Sequence, residues 1–177
     1  MLLAEPLFHN NMSHKHDFKK GFSLIELVVV MSITAIITGM GVNVYKNSVN
    51  ERRLNLDVNL VVGIIEETKQ KARARDVSPV ATCNPFDSYN LVINPSANTL
   101  RQEIVCNFVS TQLTTYTLEN TTITSPVGNT TLNFISPTGQ TTNAELSITL
   151  RNTAISRCVT IRVPPIQTVI VSDPFSC

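Results

Sequence analysis

The chain has 177 residues, 42% of them hydrophobic and 15% charged, with a formal net charge of +1. That length excludes two sizeable domains but accommodates one folded domain plus an anchor, and the hydrophobic share excludes disorder as the default state. Near-neutrality gives no support to a global electrostatic attraction of the C-terminal domain to nucleic acid.

Residues 1–21 form a polar segment that ends in Lys19-Lys20-Gly21 and holds His9, His14 and His16, all the histidines of the chain. Lacking the apolar core of a general secretory signal, it is read as a leader and kept apart from the fold. Met12 offers a second start besides Met1. His14 and His16 have too few neighbouring ligands to define a metal site.

Next comes Phe22-Ser23-Leu24-Ile25-Glu26-Leu27-Val28-Val29-Val30, opening a run in which Glu26 is the sole ionisable side chain up to position 42. The run matches the roughly 20 residues a helix needs to cross a bilayer core. A carboxylate on such a helix costs about 2.5–3.5 kcal/mol on insertion scales, so Glu26 requires a partner. The flanking lysines place the leader in the cytosol and everything past residue 42 outside.

This basic leader, Gly-Phe junction, Ser-Leu-Ile-Glu run and long apolar stretch resemble the prepilin N-terminus of type IV pilins and the pseudopilins of type II secretion and competence systems. The resemblance implies cleavage between Gly21 and Phe22 by a prepilin peptidase and methylation of the new Phe22 amine. It further implies pairing of Glu26 with the amine of an adjacent subunit, assembly on an inner-membrane platform, and a place in a pilus or pseudopilus. Gly39 and Gly41 stand where many type IV pilins carry a proline, and they either soften the helix or permit close helix packing.

From residue 43 to 76 the apolar face carries Leu54, Val58, Val61, Ile65 and Ala72 at helical spacings, with charges on the remainder. Glu66 and Glu67 precede Lys69 and Lys71 by three or four residues, a spacing that sets opposite charges side by side. One helix over 22–76 is expected, membrane-spanning over about 22–42 and roughly 80 Å long. Lys69, Lys71, Arg73 and Arg75 point in different directions on such a helix and read as a solvated end better than as a phosphate site.

Pro79 is expected to close the helix. Thr-rich and β-branched runs at 80–83, 89–93, 99–108, 113–119, 121–124, 131–135, 145–151, 157–163 and 168–171 then predict an antiparallel sheet over 77–177. The fold class is therefore α+β, a long N-terminal helix packed on a C-terminal β-sheet domain. Asn120-Thr-Thr and Asn129-Thr-Thr match the glycosylation acceptor pattern, which a Thr-rich domain produces by chance. The charged helix end, the segment from Pro79 to Cys83, the Phe134-Ile135-Ser136-Pro137-Thr138-Gly139 turn and the terminal hairpin are similar to the GspH/FimT group of minor pilins and pseudopilins. Pro164-Pro165 departs from the basic tail that some relatives use on DNA.

All four cysteines, Cys83, Cys106, Cys158 and Cys177, follow the apolar helix and none forms a Cys-x-x-Cys pair. Outside the membrane they fit two disulfides better than a metal site. Three pairings are open, and the nearest-neighbour one, Cys83 with Cys106 and Cys158 with Cys177, is favoured.

Removal of the leader leaves no histidine, so a Ser-His or Cys-His pair is excluded, and neither a phosphate loop nor a ligand cluster is present. An enzyme is not expected, nor is a cofactor. The sequence points to a structural subunit, with a competence-type minor pilin that binds DNA through Arg151, Arg157 and Arg162 as the alternative.

Overall fold

The computed structural model describes residues 23–80 and 82–177; of Met40 and Gly41 only the helical backbone is described. Helix α1 spans Leu24–Ala74. Among the described residues ten strands follow: β1 Phe86–Asn94, β2 Thr99–Cys106, β3 Val109–Thr117, β4 Thr122–Ser125, β5 Thr130–Ile135, β6 Gln140–Thr141, β7 Leu146–Asn152, β8 Arg157–Val163, β9 Ile170–Val171 and β10 Phe175–Ser176. The expected α+β class is the one observed. The chain divides into two compact units, one reaching Gly41 and one from Val42 to Cys177.

Two antiparallel sheets make up the second unit. The first has strand order β3-β2-β1-β5-β6, and the second has order β10-β8-β7-β4 with β9 also paired to β8. Alternation along each strand turns Tyr89, Leu91, Ile93, Leu100, Ile104, Leu132 and Phe134 of one sheet, and Ile148, Leu150, Val159 and Ile161 of the other, inward. They meet Leu54, Val58, Val61, Ile64, Ile65 and Ala72 of α1 in one core. Thus the three- and four-residue periodicity of the helix and the two-residue periodicity of the strands converge on the same interior.

α1 ends before Pro79 is reached. Arg75 adopts φ 52°, while the amides of Arg75 and Asp76 donate to the carbonyls of Ala72 and Lys71, so a left-handed cap closes the last turn. The described residues of the expected strand at 80–83, namely Val80, Thr82 and Cys83, lie outside any strand: Val80 donates to Val77 and Cys83 to Val80, turns that lead Cys83 into its bond with Cys106. A second disulfide joins Cys158 to Cys177.

The Phe134–Gly139 segment shows why its glycine is required. Gly139 has φ +65°, and a Cβ there would lie 2.6 Å from Arg73 Cγ and 2.8 Å from the Lys69 carbonyl oxygen. The turn between β5 and β6 thus lies directly against the helix backbone. Gly139→Ala combines left-handed strain with a backbone clash and is expected to cost about 2–4 kcal/mol. Thermal melts of the two chains measure it.

Candidate functional site: the apolar segment and its lone carboxylate

Among its described residues, the first unit is a helical segment whose side chains are all exposed. Leu24, Ile25, Leu27, Val28, Val29, Val30, Met31, Ile33, Ile36 and Ile37 are all exposed. Helix α1 is long and apolar enough here to cross a membrane. Its few hydroxyls are already satisfied by the helix itself: Ser32, Thr34 and Thr38 donate to the carbonyls of Val28, Val30 and Thr34 at 2.8, 2.9 and 2.7 Å. Such back-bonding leaves none of these three hydroxyls as a free donor to meet hydrocarbon.

Glu26 stands in the first turn of α1, exposed among these apolar side chains. A carboxylate can only accept hydrogen bonds, and in an apolar setting it requires a cationic or N–H partner. Gly21 and Phe22, the residues of the expected cleavage and methylation, lie outside the described residues. A Cβ at Gly39 would meet nothing within 4 Å.

The charged end of α1 is a solvated terminus only in part: Arg73 and Arg75 are exposed as expected, whereas Lys69 and Lys71 are drawn into the fold. Lys69 is buried, donates to the Gln167 carbonyl at 3.3 Å and lies 3.6 Å from Glu66. Lys71 reaches Glu67 at 2.6 Å and Gln102 at 3.3 Å. Arg73 Nε donates to the Thr138 carbonyl and Arg75 Nε to Ser136 Oγ, at 2.9 and 2.7 Å. These cations fasten the helix to the sheets, because their directions bring Lys69 to the β8–β9 loop, Lys71 to β2, and Arg73 and Arg75 to the β5–β6 turn. Fully buried Gln102 completes the fastening through Thr68 Oγ1 at 2.7 Å.

One fastening residue, Asp57, is expected from the helical pattern to lie with the other charges away from the apolar face, and it is instead buried. It is 5% exposed and accepts from Asn120 N, Asn120 Nδ2 and Thr121 Oγ1 at 3.1, 3.2 and 2.8 Å. Its placement three residues after Leu54 and four before Val61, on the inward face, was the available signal. Asn120, half of a glycosylation-like pattern, spends its amide here.

The arginines proposed for DNA are not gathered into one patch. Arg151 and Arg162 share the outer face of the second sheet by strand alternation, whereas Arg157 falls on the other parity. Arg162 lies 3.9 Å from Glu145, and Arg157 lies 3.9 Å from Glu51 and donates to the Pro174 carbonyl.

Beyond the helix end, Ser78 donates through both its amide and its hydroxyl to Asp76 Oδ1, holding that carboxyl below its ordinary range. The Tyr89 hydroxyl donates to the Asp76 carbonyl. Burial first, and the Asp76 charge second, push the Tyr89 phenol up to about 12. A phenol raised in the folded state stabilises the fold fully below the unfolded value near 10, and that contribution disappears as pH rises through 12. Melting temperature is therefore expected to fall between about pH 10 and 12, with a shallower fall for Tyr89→Phe.

A family model for the prokaryotic N-terminal methylation motif matches residues 18–42. No characterised protein and no solved structure matches the chain. The match covers Lys19, Lys20, Gly21, Phe22, Glu26 and the apolar run. It supports a type IV pilin-like, structural protein of the prepilin-processed kind, and with the helix it supports membrane anchoring.

Proposed function

We propose that the chain is a minor pilin or pseudopilin, a structural subunit of a type IV pilus or type II secretion pseudopilus. The observation that carries this reading is the methylation motif at residues 18–42, which coincides with an exposed apolar helix bearing Glu26 alone. Before processing, the helix anchors the chain in the inner membrane, with the leader in the cytoplasm and the disulfide-linked domain outside. A prepilin peptidase cuts after Gly21 and the Phe22 amine is methylated.

Assembly then uses the same helix twice. Its apolar side chains leave lipid for the apolar side chains of neighbouring subunits, an exchange with little net hydrophobic cost. Glu26, costly in hydrocarbon without a partner, gains the amine of an adjacent pilin's first residue, which sets the axial register. The second unit, with its own core, carries the contacts to other subunits outside the membrane.

Likeness to the GspH/FimT group is supported by the turn ending in Gly139, which lies against the helix end, and it assigns the chain a minor place near the fibre tip. Quantitative immunoblotting of purified fibres tests that assignment: a small fraction of total pilin is expected. Finding the chain as the main mass of the fibre would contradict it. DNA capture gains little from Arg151, Arg157 and Arg162, because the β7–β8 register does not gather them on one face.

A further inference from the structure

Most edges of the two sheets are short. β6, β9 and β10 have two residues each and β4 has four. The exception is β3, nine residues long, whose sequence Val-Ser-Thr-Gln-Leu-Thr-Thr-Tyr-Thr contains neither a charge nor a proline. β3 ends its sheet, and among the described residues nothing pairs with its outer side. Natural edge strands are blunted by shortness, charge or proline, since unpaired backbone is a template for another strand. Every edge here except β3 is blunted by shortness.

The backbone groups that β3 leaves open follow from its hairpin. Asn107 and Phe108 form a two-residue turn with φ of 49° and 63°, which makes Cys106–Val109 the closing hydrogen-bonded pair. Alternation then turns the amides of Ser110 and Gln112 outward. The extra residue Leu113 shifts the register between Gln102 and Glu103, so that beyond it Thr115 and Thr117 face outward. The Leu118 amide, facing inward, donates to Asn98 as this parity requires.

We propose that β3 pairs antiparallel with β3 of a second copy of this chain, joining the two sheets edge to edge. A two-fold register centred between Leu113 and Thr114 sets Ser110 against the partner's Thr117 and Gln112 against the partner's Thr115. Each outward amide and carbonyl then meets an outward group. The bulges coincide at the centre, so both strands bend at the same place. An uncharged strand also opposes no like charges when paired with itself, and Thr, Ser and Gln make favourable cross-strand neighbours.

The same register accounts for Phe108. It is 90% exposed and holds a left-handed conformation usually left to glycine or asparagine, two costs at one position. The turn is braced by the Cys83–Cys106 disulfide, by Asn107 N donating to the Pro85 carbonyl at 3.0 Å, and by Phe108 N donating to Asp87 Oδ2 at 2.7 Å. In the pair, the ring comes alongside the far end of the partner's β3. This inference rests on the sheet alone and is independent of the pilin reading.

Sedimentation of the full chain in detergent micelles tests it. The wild-type chain is expected to dimerise below about 100 μM, and Thr115→Pro to weaken the dimer at least ~10-fold. Proline at an outward-facing position removes only an unpaired donor, so the fold is expected to survive. A charge exchange keeps the test open should that variant fail to fold. Q112K/T115K and Q112E/T115E chains are each expected to be monomeric, and their mixture to restore a heterodimer. A monomeric wild-type chain, or a dimer that persists in all of these variants because the apolar helices hold it, overturns the proposal.

Discussion

Glu26→Ala is expected to reduce incorporation of the chain into fibres at least ~10-fold while cleavage after Gly21 proceeds. The side chain is exposed on a helix with no other ionisable group from position 22 to 42, so its effect is exerted on a neighbour rather than on the fold. Loss of a charge-assisted contact worth about 2 kcal/mol exceeds the 1.4 kcal/mol that corresponds to a factor of ten. Alanine also makes membrane insertion easier, because it removes a cost of about 2.5–3.5 kcal/mol. The variant should therefore accumulate, processed, in the membrane fraction. Comparing sheared fibres with membranes by immunoblot measures both quantities, and Glu26→Asp is expected to recover only part of the incorporation because the shorter side chain must still reach the amine.

Asp57→Ala is expected to destabilise the folded unit by about 2–4 kcal/mol. The buried carboxylate accepts both donors of Asn120 and the Thr121 hydroxyl. Deleting it leaves those donors without partners in a site too enclosed for ready hydration. Asn120 is also tied to Asn152, whose amide nitrogen donates to the carbonyls of Asn120 and Asn50 at 3.4 and 3.2 Å. The loss consequently reaches the β7–β8 turn as well as the β3–β4 loop. Asp57→Asn, which keeps one acceptor oxygen, should cost about half as much, and urea denaturation read at two probes separates the variants.

The sequence was most legible where periodicity and burial coincide. Leu54, Val58, Val61, Ile65 and Ala72 were readable as the inward face of α1 because a helix repeats its faces every three or four residues. β8 was likewise bounded correctly at 157–163, where Val159, Ile161 and Val163 alternate with Thr160 and Arg162. The start of β3 was missed, and the hairpin turn was placed inside a strand, because its Asn107-Phe108 lacks the glycine that usually signals such a turn. Two-residue strands β6 and β10 are too short to carry a periodic signal, whereas β9 falls within the strand expected at 168–171.

The candidate site divides in the same way. Its chemical part, from the leader lysines to Glu26, is a contiguous motif and could be read directly. The packing role of Lys69, Lys71, Arg73 and Arg75 could not, because each cation is claimed by a residue between 31 and 98 positions away. Asp57 was hidden for a related reason: a carboxylate on an apolar face is interpretable only once Asn120 and Thr121 are seen beside it.

Everything proposed about assembly depends on one covalent event at the junction before α1. Intact-mass and N-terminal peptide mass spectrometry of the chain, expressed with and without a prepilin peptidase, tests it most directly. The account predicts a chain beginning at Phe22 with a methylated amine when the peptidase is present, and an uncut leader when it is absent. A chain that keeps Gly21 and the residues before it in the presence of an active peptidase would contradict the account.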